Sequence, residues 1–210
     1  MLEQPLKFFV VFFVVVEPVS LIPLFTGLTA GATRGYKRRM ALKAVGVSAL
    51  ILLLFALGGA AFLKLMGISL EAFRIFGGLL LFLLALEMVF ARESGTRTSS
   101  SEAAESRRRA DISVFPLAFP FIAGPGALAT ILLWFGPLHL AGQAPLFGAL
   151  LGAVALVLAI ALVLMLLADP LMRVIGVTGA NVAARLLGVV LGALAVQFVL
   201  DGLRQAFAAN

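Results

Sequence analysis

The sequence predicts an all-α polytopic membrane protein: six transmembrane helices in two inverted three-helix repeats with broken first helices. Three observations predict it. Of 210 residues 62% are apolar and 12% charged, against roughly 45–50% and 25% in an average soluble domain, so lipid is the expected solvent. Six apolar stretches, at 5–29, 44–63, 73–91, 112–135, 146–168 and 184–203, are each long enough to cross a bilayer at about 1.5 Å per residue. Similar short segments recur once in each half of the chain. The formal net charge of +6 on so apolar a chain belongs to loops facing anionic lipid rather than to nucleic-acid binding. With no cysteine and one histidine, disulfides, thiol relays, haem and most zinc sites are excluded, and no metal or cofactor is expected.

The first span, 5–29, ends at Ala30-Gly31-Ala32, which mimics a signal cleavage site. Pro18 and Pro23 inside it and the basic residues that follow it argue for a retained helix, since a signal carries its positive charge in front. Span two follows Arg34, Lys37, Arg38, Arg39 and Lys43; span three ends before Arg92, Arg97 and Arg107-Arg108-Arg109. With Arg173 between spans five and six, one side collects eleven Lys and Arg against three (Lys7, Lys64, Arg204) on the other, leaving aside Arg74 and Arg185 at span starts. The positive-inside bias puts the first, third and fifth loops in the cytoplasm and both termini outside. The polar, serine- and arginine-rich piece within 92–111 reads as a linker between a first repeat, 1–91, and a second, 112–210.

Leu65-Met66-Gly67-Ile68-Ser69 precedes Arg74-Ile75-Phe76-Gly77, while Val174-Ile175-Gly176-Val177-Thr178 precedes Arg185-Leu186-Leu187-Gly188. Each half also opens with a proline-interrupted span, carrying Pro18 and Pro23 in one and Pro116, Pro120 and Pro125 in the other. Three spans per half is odd, so two copies enter the membrane in opposite orientation, the signature of secondary transporters. Spans five and six carry Gly148-x-x-x-Gly152 and Gly188-x-x-x-Gly192, spacings that let helix backbones approach closely; Gly58-Gly59 and Gly77-Gly78 read likewise.

Depth locates the chemistry. The midpoint of span one is Glu17 and that of span four is next to Gly124, so both fall on helix breakers. Proline lacks an amide hydrogen, so Pro18 and Pro23 deprive nearby carbonyls of partners, and Gly124-Pro125-Gly126 does the same with added backbone freedom. Free backbone groups at that depth are tolerated only in protein or facing a water-filled cavity. Packing kinks alone explain a single proline; five in paired spans, one beside a carboxylate, point to a shared cavity. Carbonyls at one end of a break and amide hydrogens at the other suit a zwitterion such as a small amino acid. Glu17 is the one ionisable residue near the midplane, where an anion costs at least about 2.5–3.5 kcal/mol on insertion scales. It either carries a coupling proton, stays protonated as a hydrogen-bond donor, or pairs with a substrate ammonium. The substrate-binding candidates are Glu17, Pro18, Ser20, Pro23, Gly124, Pro125, Gly126, Thr130 and Gln197, the last two equally able to make interhelical hydrogen bonds. Arg74 and Arg185 begin equivalent helices, where a cation opposes the helix dipole, so each calls for a carboxylate or phosphate partner. His139 reads as a solvated loop residue.

The segment Pro116-Leu117-Ala118-Phe119-Pro120-Phe121-Ile122-Ala123-Gly124-Pro125-Gly126-Ala127 resembles the signature of the MarC family of bacterial and archaeal inner-membrane proteins, which belongs with the LysE-type exporters. Gly67-Ile68-Ser69, Ala72-Phe73-Arg74-Ile75, Gly77-Gly78, Thr178-Gly179, Asn181, Arg185, Gly188, Ala195-Val196-Gln197-Phe198-Val199 and Asp201-Gly202 extend the resemblance over nearly the whole chain. It implies six spans in the cytoplasmic membrane and transport of small neutral amino acids such as glycine and alanine, linked to protons. The family's first-span motif reads acid or Asn, Pro, any residue, Gly, Asn, any residue, Pro; here it is Glu17-Pro18-Val19-Ser20-Leu21-Ile22-Pro23, so Ser20 and Leu21 replace the glycine and the amide.

The reading that follows is a carrier working by alternating access at a midplane site, whose partners are a small amino acid, protons and the bilayer, with oligomerisation left open. The alternatives are a membrane scaffold, an exporter of another small solute, and an intramembrane enzyme. An enzyme needs a nucleophile and a base within reach, and one loop histidine and one central carboxylate do not supply them.

Overall fold

The computed structural model describes residues 3–90, 111–138 and 140–208; most of the linker, at 92–110, and His139 lie outside the described residues. Among the described residues every regular element is helical: α1 (Glu3–Val16), α2 (Leu21–Leu28), α3 (Arg34–Leu65), α4 (Leu70–Phe90), α5 (Ser113–Ile122), α6 (Pro125–Phe135), α7 (Leu140–Leu166) and α8 (Ala168–Ala208). By length and composition Glu3–Leu28, Arg34–Leu65, Leu70–Phe90, Gly142–Leu166 and Thr178–Ala208 are membrane spans, and α5 with α6, bent by 55° at their junction, make a sixth if the pair is one crossing.

The spans fall where the apolar stretches are, but the helices overrun them. Helix α3 starts at Arg34 rather than 44 because Thr33, extended at φ −67° and ψ 154°, accepts a hydrogen bond from the Tyr36 amide at 3.3 Å and caps it there. Hydropathy marks the lipid boundary, whereas capping marks the end of a helix that continues beyond it. At its other end α3 closes with a glycine cap: the Ile68 amide donates to the Leu63 carbonyl at 2.9 Å and the Gly67 amide to Lys64 at 3.1 Å, with Gly67 at φ 69°. The matching glycine of the second half, Gly176, has φ 66° and breaks α8, so the last long apolar helix begins at Thr178 instead of 184. Two short segments alike in sequence therefore share one backbone feature, a left-handed glycine.

The third spans of the two halves, α4 and α8, pack antiparallel along a glycine seam. A Cβ added at Gly202 would lie 2.7 Å from Ile75 Cγ1, one at Gly78 2.9 Å from the Ala195 carbonyl oxygen, and one at Gly188 3.2 Å from the Ala85 carbonyl oxygen. Helix α3 packs on α5 as α7 packs on α1, and α2 packs on α8 as α6 packs on α4. Gly148-x-x-x-Gly152 is different. Both glycines face open space within the chain, so the close approach read from their spacing is not made there; the spacing permits an approach without supplying a neighbour.

The broken first span is the most enclosed element. Of its most apolar window 61% is buried, against 22–33% for the four unbroken spans. Their outward faces carry Leu54, Phe62, Leu186 and Val189, exposed apolar side chains that lipid solvates. Aromatic rings tie α1 into place: Phe8 lies 5.5 Å from Trp134 and 5.8 Å from Phe135, which meets Phe147 edge-on at 5.0 Å.

Gly78→Ala is expected to lower the thermal unfolding midpoint in detergent by the equivalent of about 1–3 kcal/mol, because the methyl meets backbone atoms that cannot yield. Gly46→Ala, in α3 with open space around it, is expected to leave the midpoint unchanged or slightly raised. Equal midpoints for the two variants would contradict the tight α4–α8 contact.

Candidate functional site

The first break begins where α1 ends. Pro18 has no amide hydrogen, so the ladder stops at the Glu17 amide, which donates to Phe13 O at 2.9 Å. The chain then turns tightly, the Ser20 amide reaching the Glu17 carbonyl at 3.1 Å, before α2 resumes at Leu21. Glu17 has φ 53°, a left-handed conformation costing a non-glycine residue about 1–2 kcal/mol. Its side chain is buried, and one carboxylate oxygen accepts a hydrogen bond from Ser20 Oγ at 2.5 Å. Ser20 thus supplies a hydroxyl donor to the buried Glu17 carboxylate.

The second break is longer than the Gly124-Pro125-Gly126 point predicted. Phe115 and Phe119, each preceding a proline, are extended at φ −127° and −128°, as the steric clash with the proline ring requires. The Leu117 and Ala123 amides donate five residues back, to Ile112 O at 3.3 Å and Ala118 O at 2.8 Å. Regular winding starts only at α6. There the Leu128 amide reaches Gly124 O at 3.0 Å, leaving the Gly126 and Ala127 amides of the first turn without intrahelical acceptors.

The two breaks meet. A Cβ on Gly126 would lie 2.8 Å from Leu81 Cδ2 and 3.3 Å from Val15 Cγ1, two residues before Glu17. Around this contact is a small hollow of about 30 Å³, lined by Val15, Leu80, Leu84, Pro120 and the Gly124–Ala127 turn. It has room for a water or two, less than the five heavy atoms of a glycine molecule require. At Gly124 a Cβ would fall 2.0 Å from the Pro120 carbonyl oxygen, so the break has no space for a side chain there.

Of the predicted site residues, Gly124, Pro125 and Gly126 line the hollow. Glu17 and Pro18 are buried at the facing break but do not line it, and Ser20 and Pro23, half-buried, lie in the same turn and in α2. The Thr130 hydroxyl is committed to its own helix, donating to Gly126 O at 2.9 Å. Gln197 is exposed and donates to Asp201 at 2.8 Å, near the far end of α8. Pro120 lines the hollow too, and Val15, Leu80, Leu84, Phe121 and Ala127, none of them a predicted site residue, complete the lining. They are apolar like their lipid-facing neighbours, so no residue type marked them. Among the described residues no group of three His, Cys, Asp or Glu side chains is placed to hold a metal ion.

The basic end carries two ion pairs, joining α3 to Asp111 at the end of the linker and to Asp169 at the start of α8. Lys37 Nζ lies 2.8 and 2.7 Å from the two Asp169 oxygens, and Lys43 pairs with Asp111. Lys43, then the Ser113 hydroxyl at 2.5 Å and amide at 2.9 Å, hold the Asp111 carboxyl well below the usual carboxylate range.

A model of the MarC family, described as MarC family integral membrane protein, matches residues 2–207. The chain is 35% identical over 201 residues to the UPF0056 membrane protein YhcE of Escherichia coli, covering 96% of this chain and 92% of that one. It is 36% identical over 199 residues to a UPF0056 membrane protein of Aquifex aeolicus (94% and 91% covered) and 32% identical over 199 residues to one of Archaeoglobus fulgidus (94% and 91%). No solved structure matches significantly.

Because folding lowers the Asp111 carboxyl, its contribution to stability is fully present above the ordinary carboxylate range and is lost as pH falls below it. The stability difference between the wild type and Asp111→Asn is therefore expected to be constant above about pH 5 and to shrink toward zero below about pH 4. Thermal unfolding in detergent across that range checks it; a difference that grows on acidification is the contrary result.

Proposed function

The chain belongs to the MarC family of integral membrane proteins, and we propose that it is a secondary transporter of small neutral amino acids of the glycine and alanine type. In this reading two inverted three-helix repeats alternate access to a midplane site, and Glu17 couples the cycle to protons. The observation that carries it is the meeting of the α1 break and the α6 N-terminus around a hollow, at Val15 and Gly126.

A carboxylate in the hollow would find the Gly126 and Ala127 amides at the positive end of α6. An ammonium would find the C-terminal carbonyls of α1 and the Glu17 side chain beyond them. The hollow is too small for an amino acid as it stands, so in this reading it widens during the cycle. The exchangeable packing of the halves and the left-handed Gly67 and Gly176 support the inverted repeat. The basic end is the cytoplasmic one, with both termini outside, in the cytoplasmic membrane.

Uptake of labelled glycine and alanine into proteoliposomes, with and without a pH gradient, tests the reading. Saturable, protein-dependent flux stimulated by the gradient is expected; no flux of either amino acid overturns the substrate assignment. In Glu17→Gln the stimulation is expected to vanish, and an unchanged pH response rejects the coupling role. Gly126→Ala places a methyl among Leu81, Val15 and Leu84 and is expected to lower glycine flux roughly tenfold or more.

A further inference from the structure

The end of the molecule opposite the ion pairs is open. A cavity of about 300 Å³ lies between the start of α1, the start of α4, the end of α6, the first half of α7 and the last part of α8. Gln4, Arg74 and Asp201 supply its polar groups and Trp134 an indole. All four sit near helix ends on the side where the chain enters α1 and α4 and leaves α6. That places the cavity at the membrane surface remote from Lys37 and Lys43, and its volume is at the lower limit for small-molecule sites.

Arg74 is the informative side chain. It is half-buried in the first turn or so of α4, where a cation is disfavoured by the helix dipole, and among the described residues it forms no ion pair or hydrogen bond. Asp201 lines the same cavity, and its Oδ1 is fixed by Gln197 Nε2 at 2.8 Å. The two opposite charges are not joined in a salt bridge. A guanidinium and a carboxylate sharing one partly enclosed cavity without closing on each other are complementary to a molecule bearing both charges.

We propose that this cavity is a zwitterion-binding vestibule, Arg74 taking the anionic group and Asp201 the ammonium. Free amino acids and the phosphoethanolamine headgroup of a lipid carry this same pair of charges. The free amino acid form rests on the carrier reading above, for which the vestibule is the outer reception site; the headgroup form does not.

Trp134 lines the cavity and is the only tryptophan in the chain, so its emission reports occupancy. The full-length protein in phosphatidylglycerol nanodiscs, whose lipid has no ammonium, is titrated with glycine, with acetate and methylamine as single-charge controls. A saturable change with glycine alone is expected, the half-saturation rising roughly tenfold or more in Arg74→Gln and in Asp201→Asn, with Arg74→Lys between. If glycine is silent but replacing the lipid by phosphatidylethanolamine shifts the emission in the wild type and not in Arg74→Gln, the zwitterion is the headgroup. Silence to both, or variants that respond as the wild type does, overturns the proposal. Glycine flux on the same preparation separates it from the carrier reading: a responding Trp134 without flux sinks the carrier and leaves the vestibule, and flux with a silent Trp134 does the reverse.

Discussion

Lipid cannot hydrogen-bond a peptide group, and this one constraint arranges the molecule. A helix in hydrocarbon satisfies its own backbone, so it can stand at the periphery; a helix broken in mid-span cannot, and must be surrounded by protein or water. Glu3–Leu28 is accordingly enclosed while the four unbroken spans expose most of their surface. The second broken span behaves likewise: Leu117, Ala118, Ile122, Ala123 and Ile131 are all completely buried. The four unbroken spans, in α3, α4, α7 and the part of α8 after Gly176, form the wall that makes the two interruptions tolerable. Position in the fold follows from backbone satisfaction rather than hydrophobicity, since the breaks are as apolar as the wall.

That wall is held by contacts of different stiffness. Between α4 and α8 the glycines bring the two backbones close, as at Gly78 with Ala195 and Gly202 with Glu71, with the Val199 and Ile75 side chains packed into the same gaps. At the basic end α3 meets Asp111 and Asp169 through lysine–carboxylate pairs; the exposed Lys43–Asp111 pair is of a kind worth about 0–1 kcal/mol in water, while the Lys37 side chain is more enclosed, at 18% exposure. Dispersion contacts along a close-packed seam are lost together when helices separate, whereas a solvated ion pair reforms with water at little cost.

Much of this was legible in the sequence because bilayer thickness and proline chemistry leave one-dimensional marks. Span positions and the two interruptions followed from apolar length and from Pro18, Pro23 and Gly124-Pro125-Gly126. The left-handed Gly67 and Gly176 were visible as a repeated pattern, though not as a conformation. Three things were not legible. Which glycines find a neighbour depends on helix rotation, so Gly188 meets Ala85 while Gly148 and Gly152 meet nothing within the chain. Side-chain partners within a helix override cavity-facing roles, so the Thr130 hydroxyl is taken up by Gly126 O and Gln197 by Asp201. The lining from Val15, Leu80 and Leu84 is identical in type to the lipid-facing surface, and hydropathy cannot tell a residue facing a hollow from one facing an acyl chain.

The Glu17 turn draws these strands together. A glutamate in the left-handed region, buried at a break, combines two costs: glycine would relieve the backbone, and an apolar residue the desolvation. Ser20 offsets part of the second cost by donating its hydroxyl to the carboxylate, and the surrounding Val14, Val15, Val16, Leu21 and Ile22, all buried, hold the turn in shape. Strain of this kind persists only where neighbouring structure over-determines it. Here the buried valines before Glu17 and Leu21 and Ile22 after it fix the turn, and Val15 also lines the hollow beside Gly126.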